Sequence, residues 1–192
     1  MKKVGIFSGS FNPIHIGHLA LANWMCEYED LSEIWFLITP QNPLKEQGDL
    51  MDYDLRLEMA SEAIGDYSKF KVSDFERTLP VPSYTIDTLN ALKKTYPDYL
   101  FHLMIGADSW EIMDRWKDAS EILTQYPILI YPRVGHNRDI PSGYPNIRIV
   151  DAPMLEISSS FIRSALKSGK DIRFFLPEAV RKFTNYMKLE TK

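Results

Sequence analysis

Two histidines three residues apart, His15 and His18, stand in the run Gly9-Ser10-Phe11-Asn12-Pro13-Ile14-His15-Ile16-Gly17-His18. A short apolar stretch, Val4-Gly5-Ile6-Phe7, precedes the run and an apolar-periodic segment follows from Leu19, which places it on a strand-to-helix turn. Unpaired backbone N–H groups and the positive end of the helix dipole make such a turn an anion site, and a glycine lets a phosphate come close to the chain. If the helix has begun by His15, both imidazoles lie on one face of its first turn. The chemistry within reach is the holding and neutralising of a triphosphate. Two other readings stay open: a structural pair, or metal ligands, for which no nearby Cys, Asp or Glu completes a zinc set. Neither Gly-x-x-x-x-Gly-Lys-Ser/Thr nor Gly-x-Gly-x-x-Gly occurs here, which counts against a P-loop hydrolase and a dehydrogenase.

The elements that must hold this turn alternate between strand and helix. After a helix over 16–28, the apolar run Glu33–Ile38 reads as a buried strand. A helix over 54–63 with Gly65 at its end, an alternating strand over 70–75 and a helix from Ser83 or Thr85 to before Pro97 follow. Then come a strand over 99–105 ending in Gly106-Ala107-Asp108, one or two helices over 109–126 interrupted near Lys117 and Asp118, and strands at 128–131 and 147–150. Helices over 158–167 and 177–189 close the chain. Strands joined by helices of about ten residues imply right-handed crossovers. The expected fold is α/β, a Rossmann-like three-layer arrangement with a mainly parallel central sheet flanked by helices. Ligands then bind beyond the carboxyl ends of the strands, where the opening turn, Gly106-Ala107-Asp108 and residues 151–160 are expected to converge.

The 192 residues, 45% hydrophobic and 25% charged, fit one domain over 1–192 with a proper core. A net charge of -4 argues against a nucleic-acid polymer as partner, whereas a small anion needs only a local cluster of cations. A lone cysteine, Cys26, forms no internal disulfide, and no stretch approaches the roughly 18 apolar residues of a membrane span. The expectation is a soluble, cytoplasmic protein without a membrane partner.

His15-Ile16-Gly17-His18 resembles the His-x-Gly-His signature of the nucleotidyltransferase superfamily, and Gly-Ser-Phe-Asn-Pro before it resembles the adenylyltransferase branch. Ile157-Ser158-Ser159-Ser160-Phe161-Ile162-Arg163 is similar to the second superfamily motif, Ile-Ser-Ser-Thr-x-Ile-Arg. Pro82-Ser83-Tyr84-Thr85-Ile86-Asp87-Thr88-Leu89 and Gly106-Ala107-Asp108-Ser109 resemble segments typical of the bacterial nicotinate-nucleotide adenylyltransferases. Class I aminoacyl-tRNA synthetases share the first motif, but they also need a Lys-Met-Ser-Lys-Ser-type loop and a tRNA-binding domain, which this chain lacks.

The resemblance implies transfer of AMP from ATP, carried with Mg2+, to nicotinate mononucleotide, with no metal ligated directly by protein. His15 and His18 would hold the ATP phosphates, His18 stabilising the α-phosphate in the transition state. Gly9, Ser10 and Phe11 would lie along the nucleotide, Gly106 and Asp108 at adenosine and ribose, and Ser158, Ser159, Ser160 and Arg163 at the outer phosphates. Asn12, Tyr84, Thr85 and Trp116 are carried over to the acceptor. Lys45, in Asn42-Pro43-Leu44-Lys45, and Arg133 would meet phosphates, with a solvated surface charge the competing reading of Arg133. Trp110 is expected in the core, and Cys26, His102 and His136 are expected to be structural.

Two departures stand out: Ser8 where the family often has a second glycine, and Leu44 where a histidine is common. The rivals are a superfamily enzyme acting on nicotinamide mononucleotide, phosphopantetheine or a cytidylyl acceptor, and a non-catalytic nucleotide-binding domain. Phosphopantetheine enzymes generally carry Thr at the position of His15, which argues against that branch. Preference for nicotinate over nicotinamide and the formation of a homo-oligomer leave no mark in the sequence.

Overall fold

The computed structural model describes residues 1–41, 50–136, 139 and 143–190. Six strands form one sheet: β1 (Lys2–Gly9), β2 (Glu33–Ile38), β3 (Phe70–Ser73), β4 (Tyr99–Gly106), β5 (Ile128–Tyr131) and β6 (Ile147–Ile149). Their order is β3-β2-β1-β4-β5-β6, and every neighbouring pair is parallel. The helices are α1 (Ile16–Tyr28), α2 (Tyr53–Ile64), α3 (Thr85–Thr95), α4 (Ala107–Trp110), α5 (Ala119–Gln125), α6 (Ser159–Lys167) and α7 (Thr184–Glu190). Among the described residues no helix is long and apolar enough to cross a membrane.

Strand residues alternate between two cores, as a pleated sheet covered on both faces requires. Phe7, Ile34, Phe36, Ile38, Met104 and Leu129 meet α1, α2, α6 and α7 on one face. Val4, Ile6, Trp35, Leu37, Leu103, Ile105, Ile128 and Ile130 meet α3 and α5 on the other. The sheet runs outward in both directions from β1 and β4, so its topological switch point lies between their carboxyl ends. The opening turn follows one of these strands and Gly106-Ala107-Asp108 closes the other.

Three local features differ from the sequence reading, while the start of α1 at Ile16 and the break near Lys117 and Asp118 match it. His15 is the N-cap of α1 with extended backbone (φ -147°, ψ 171°), outside the helix proper. The strand expected over 70–75 stops at Ser73, where the chain turns into a 3-10 segment, Phe75–Thr78. The stretch 109–126 breaks into α4, a 3-10 turn at Met113–Arg115 and α5, because Trp116 is extended and Asp118 adopts left-handed backbone (φ 49°). The segment after Pro177 winds as a 3-10 helix over Glu178–Phe183 before α7. The last strand ends at Ile149, one residue early.

Candidate active site

A cavity of about 710 Å³ opens over the carboxyl ends of β1 and β4. Its floor is the opening turn. Phe11 takes a left-handed backbone (φ 43°), an uncommon conformation for a bulky residue. Its ring is buried edge-on against Phe7 (5.4 Å), against His18 (5.0 Å) and beside Phe36 (5.6 Å). Phe11 therefore lends its side chain to the core and its main chain to the cavity. Asn12 is buried, with its side-chain oxygen accepting from the Met51 N–H (3.0 Å).

The two histidines meet as a cap rather than as a helical stripe. The His15 backbone N–H donates to His18 Nδ1 (3.3 Å), and the rings stack with centroids 3.6 Å apart. Because Nδ1 of His18 accepts, a neutral His18 carries its proton on Nε2. Gly17 makes room for the stack: a Cβ there would stand 3.1 Å from His15 Nδ1 and 3.5 Å from Ile157. His15 is 3% exposed, and its Nδ1 has no hydrogen-bond partner. Burial, helped by the positive charge of Arg133, pulls the His15 imidazole down to about 4, so it is neutral at pH 7.

Helix α6 supplies the facing wall and is tied to the turn by side chains. Ser159 Oγ donates to the Pro13 carbonyl (2.9 Å), and Arg163 donates to the Asn12 carbonyl (2.8 Å). Ser158 caps the helix by accepting from the Phe161 N–H (3.1 Å), and Ser160 Oγ accepts from Arg163 (3.4 Å). These contacts hold one edge of the guanidinium and point the start of α6 at the turn.

Gly106, the N-cap of α4, lies against Asp108, Tyr131 and Arg133; a Cβ there would fall 2.2 Å from Asp108 Oδ1. Arg133 lies over the Tyr131 ring (5.1 Å) and 3.7 Å from Asp108, and its Nε is buried without a hydrogen-bond partner. Arg133 lines the cavity with its side chain part-exposed.

At the other end Tyr84 is the N-cap of α3, with Thr85 the first helical residue and Lys117 Nζ over the Tyr84 ring (5.0 Å). Lys117 also pairs with Asp87 (2.9 Å). Trp116 packs on the second core and lines the cavity, and its indole Nε1 is buried without a partner. Buried polar atoms left unpaired are places where a ligand or a water completes the bonding. The unpaired atoms of His15, Arg133 and Trp116 all belong to cavity-lining residues.

The structure brings Gly9, Ser10, Phe11, Asn12, His15, His18, Tyr84, Thr85, Gly106, Asp108, Trp116, Arg133, Ser158, Ser159, Ser160 and Arg163 together on this lining. Lys45 lies outside the described residues; Gln41 and Leu50, at the two ends of that stretch, line the cavity. Trp110 is half-buried on the second core and donates to the Asp139 carbonyl (3.1 Å). Cys26 is buried, with its thiol pushed up to about 11 by burial, and His136 pairs with Glu111 (2.7 Å) on the surface.

Sequence reasoning missed Thr39, Glu76, Ser83, Arg115 and Lys117, which also line the cavity. None sits in a residue pattern with a chemical signature. Only the position of Ser83 beside Tyr84, and of Arg115 and Lys117 beside Trp116, marks the last three.

What the arrangement can do follows from these groups. Cations and hydrogen-bond donors surround a space above the turn, while Glu76 and Asp108 are the carboxylates on the described lining. The Ser8 hydroxyl donates to the Glu76 carboxyl (2.9 Å) on that lining, and the other charged groups, Asp108 apart, are cations. Such a site binds a polyphosphate and stabilises charge on it.

The chain matches the family model described as Cytidylyltransferase-like over residues 6–165. A Bacteroides fragilis protein named probable nicotinate-nucleotide adenylyltransferase is 56% identical over 180 residues, covering 94% of this chain and 90% of that protein. The Azobacteroides pseudotrichonymphae protein of the same name is 51% identical, covering 93% and 94%. The solved Plasmodium falciparum nicotinic acid mononucleotide adenylyltransferase complexed with NaAD shares the fold, with a TM-score of 0.82 at 22% identity over 100% of this chain and 99% of that one. At this identity and coverage, and with both superfamily motifs on one cavity at the switch point of a Rossmann-like sheet, the chain belongs to the nicotinate-nucleotide adenylyltransferase family of cytidylyltransferase-like nucleotidyltransferases.

Proposed function

We propose that this chain, as one nucleotidyltransferase domain over 1–192, transfers AMP from ATP to nicotinate mononucleotide, giving nicotinate adenine dinucleotide and pyrophosphate for NAD biosynthesis. The observation that carries this reading is the shared cavity: the phosphate turn and Arg163 at one end, and Tyr84, Thr85 and Trp116 at the other.

A phosphate oxygen of the mononucleotide attacks the α-phosphorus of ATP in line. A new P–O–P linkage forms, and the bond to the pyrophosphate oxygen breaks. The attacking phosphate has a second pKa near about 6, so it is largely ionised at neutral pH and no strong base is required. The protein's work is to align the two reactants and neutralise developing charge. His18 faces the α-phosphate, and Arg163 the outer phosphates. Lys45 completes the outer phosphate contacts, and Arg133 those of the mononucleotide phosphate. Gly106 and Asp108 take the nucleoside, and Tyr84, Thr85 and Trp116 take the pyridine ring and its carboxylate. An aromatic ring stacks on a pyridinium, and backbone N–H groups at the start of α3 suit a carboxylate. Mg2+ carried with ATP would neutralise charge on its phosphates, with no direct ligand from the protein. The reaction belongs in the cytoplasm, with small molecules as its partners.

The test is product analysis after incubation with MgATP and nicotinate mononucleotide. The expected products are the dinucleotide and pyrophosphate in equal amounts; ATP binding without either product would leave only a nucleotide-binding domain.

A further inference from the structure

Glu76 is buried (2% exposed) on the 3-10 turn after β3. Its Oε1 accepts from Ser8 Oγ (2.9 Å) and from Thr88 Oγ1 (3.3 Å), while Oε2 is buried and without a hydrogen-bond partner. Ser8 Oγ also meets Thr39 Oγ1 (3.0 Å), just beyond β2. The Thr88 hydroxyl is shared with the Tyr84 carbonyl (3.3 Å). One carboxyl group therefore ties together the ends of β1 and β2 and the first turn of α3.

Those segments carry the two halves of the site. Ser8 is followed directly by Gly9 and the phosphate turn, and Thr88 reaches Tyr84, where the acceptor is expected. Ser8 is also the position where this chain departs from the glycine common in the family it resembles, so its hydroxyl is a contact that a glycine cannot make.

We propose that Glu76 is a positioning residue that sets the two halves of the site in register through Ser8 and Thr88; the proposal rests on the reading of the cavity given above. Burial pushes the Glu76 carboxyl above its ordinary value, with the hydroxyl bonds from Ser8 and Thr88 opposing more weakly.

Misalignment of about 1 Å between reacting groups costs on the order of a hundredfold in rate, so loosening this tie acts on turnover more than on binding. The experiment is steady-state kinetics with MgATP and nicotinate mononucleotide for wild type, Glu76→Gln, Glu76→Ala, Ser8→Gly and Thr88→Val, with thermal unfolding of each. Glu76→Ala is expected to lower kcat by about tenfold or more, with either KM changed by less than about threefold. Glu76→Gln, which keeps an accepting oxygen and no charge, is expected to restore kcat to within about twofold. Ser8→Gly and Thr88→Val are expected to lower kcat by several-fold each, and they decide the matter if Glu76→Ala fails to fold. Equal loss in the Gln and Ala variants, or wild-type kcat in Ser8→Gly and Thr88→Val, overturns the proposal. An inactive wild type overturns the functional reading first and the positioning role with it.

Discussion

At the scale of single residues, the site is an arrangement of donors whose charge state depends on what they face. His18 accepts the His15 N–H at Nδ1, which puts the proton of a neutral ring on Nε2. Removing that donor should cost transition-state stabilisation, with oxyanion-type donors worth about 10²–10³ in kcat. His18→Ala is expected to reduce pyrophosphate release by at least that factor while the circular dichroism spectrum stays native; near-normal release would remove His18 from the mechanism. His15 is neutral when the cavity is empty, because burial and Arg133 hold its imidazole at about 4. A triphosphate alongside raises that value, so ATP binding at pH 5–6 should take up protons, measurable by calorimetry in buffers of different ionisation enthalpy. His15→Asn should abolish the uptake assigned to this imidazole. The pattern of the two histidines was legible in the sequence because Gly17 and the turn residues surround them. Their stacking was not, because it depends on His15 capping the helix with extended backbone.

At the scale of elements, side-chain ties aim short segments at the cavity. Helix α6 is held to the opening turn by Ser159 on the Pro13 carbonyl and Arg163 on the Asn12 carbonyl. The segment after β4 is set by Gly106, where a Cβ would fall 2.2 Å from Asp108 Oδ1 and 3.1 Å from Arg133 Nε. Gly106→Ala must therefore displace Asp108 and Arg133 together. By the usual cost of misplaced groups it is expected to lower kcat/KM for ATP by about 10²-fold, with a melting temperature close to wild type. A retained kcat/KM would show that neither side chain serves the nucleotide. Strongly apolar elements were readable: the strand Glu33–Ile38 matches in both bounds, and α3 starts at Thr85, one of the two positions expected. Short turns were not. The interruption expected near Lys117 and Asp118 is found at the extended Trp116 and left-handed Asp118, but the 3-10 turn at Met113–Arg115 left no mark in the pattern.

At the scale of the whole molecule, six parallel strands with the switch point between β1 and β4 place the site, and two buried groups make its stability depend on pH. His15 titrates at about 4 in the fold against 6.5 in the unfolded chain, so the unfolded state binds more protons between these values and stability is lost as pH falls through that window. The loss amounts to at most about 3 kcal/mol. Glu76 acts in the opposite sense: its folded value is raised, so the folded state binds more protons and stability is lost as pH rises above 4.5. Denaturant unfolding at pH 4.5 and 7.5 should therefore give a smaller stability difference for His15→Asn than for wild type, and a larger one for Glu76→Gln. Either change in the reverse direction would contradict the assigned charge states. The fold class was legible from the alternation of strand and helix patterns, and three site segments from their place after strands. The strand order, and with it the meeting of Ser8, Glu76 and Thr88 from three separate segments, comes only from the folded sheet. The central claim is adenylyl transfer to one acceptor on this cavity. Pyrophosphate release with MgATP and a panel of nicotinate mononucleotide, nicotinamide mononucleotide, phosphopantetheine and no acceptor tests it most directly. The highest kcat/KM is expected with nicotinate mononucleotide, and no release without an acceptor; equal or greater release with another acceptor, or none with any, would contradict adenylyl transfer to this acceptor.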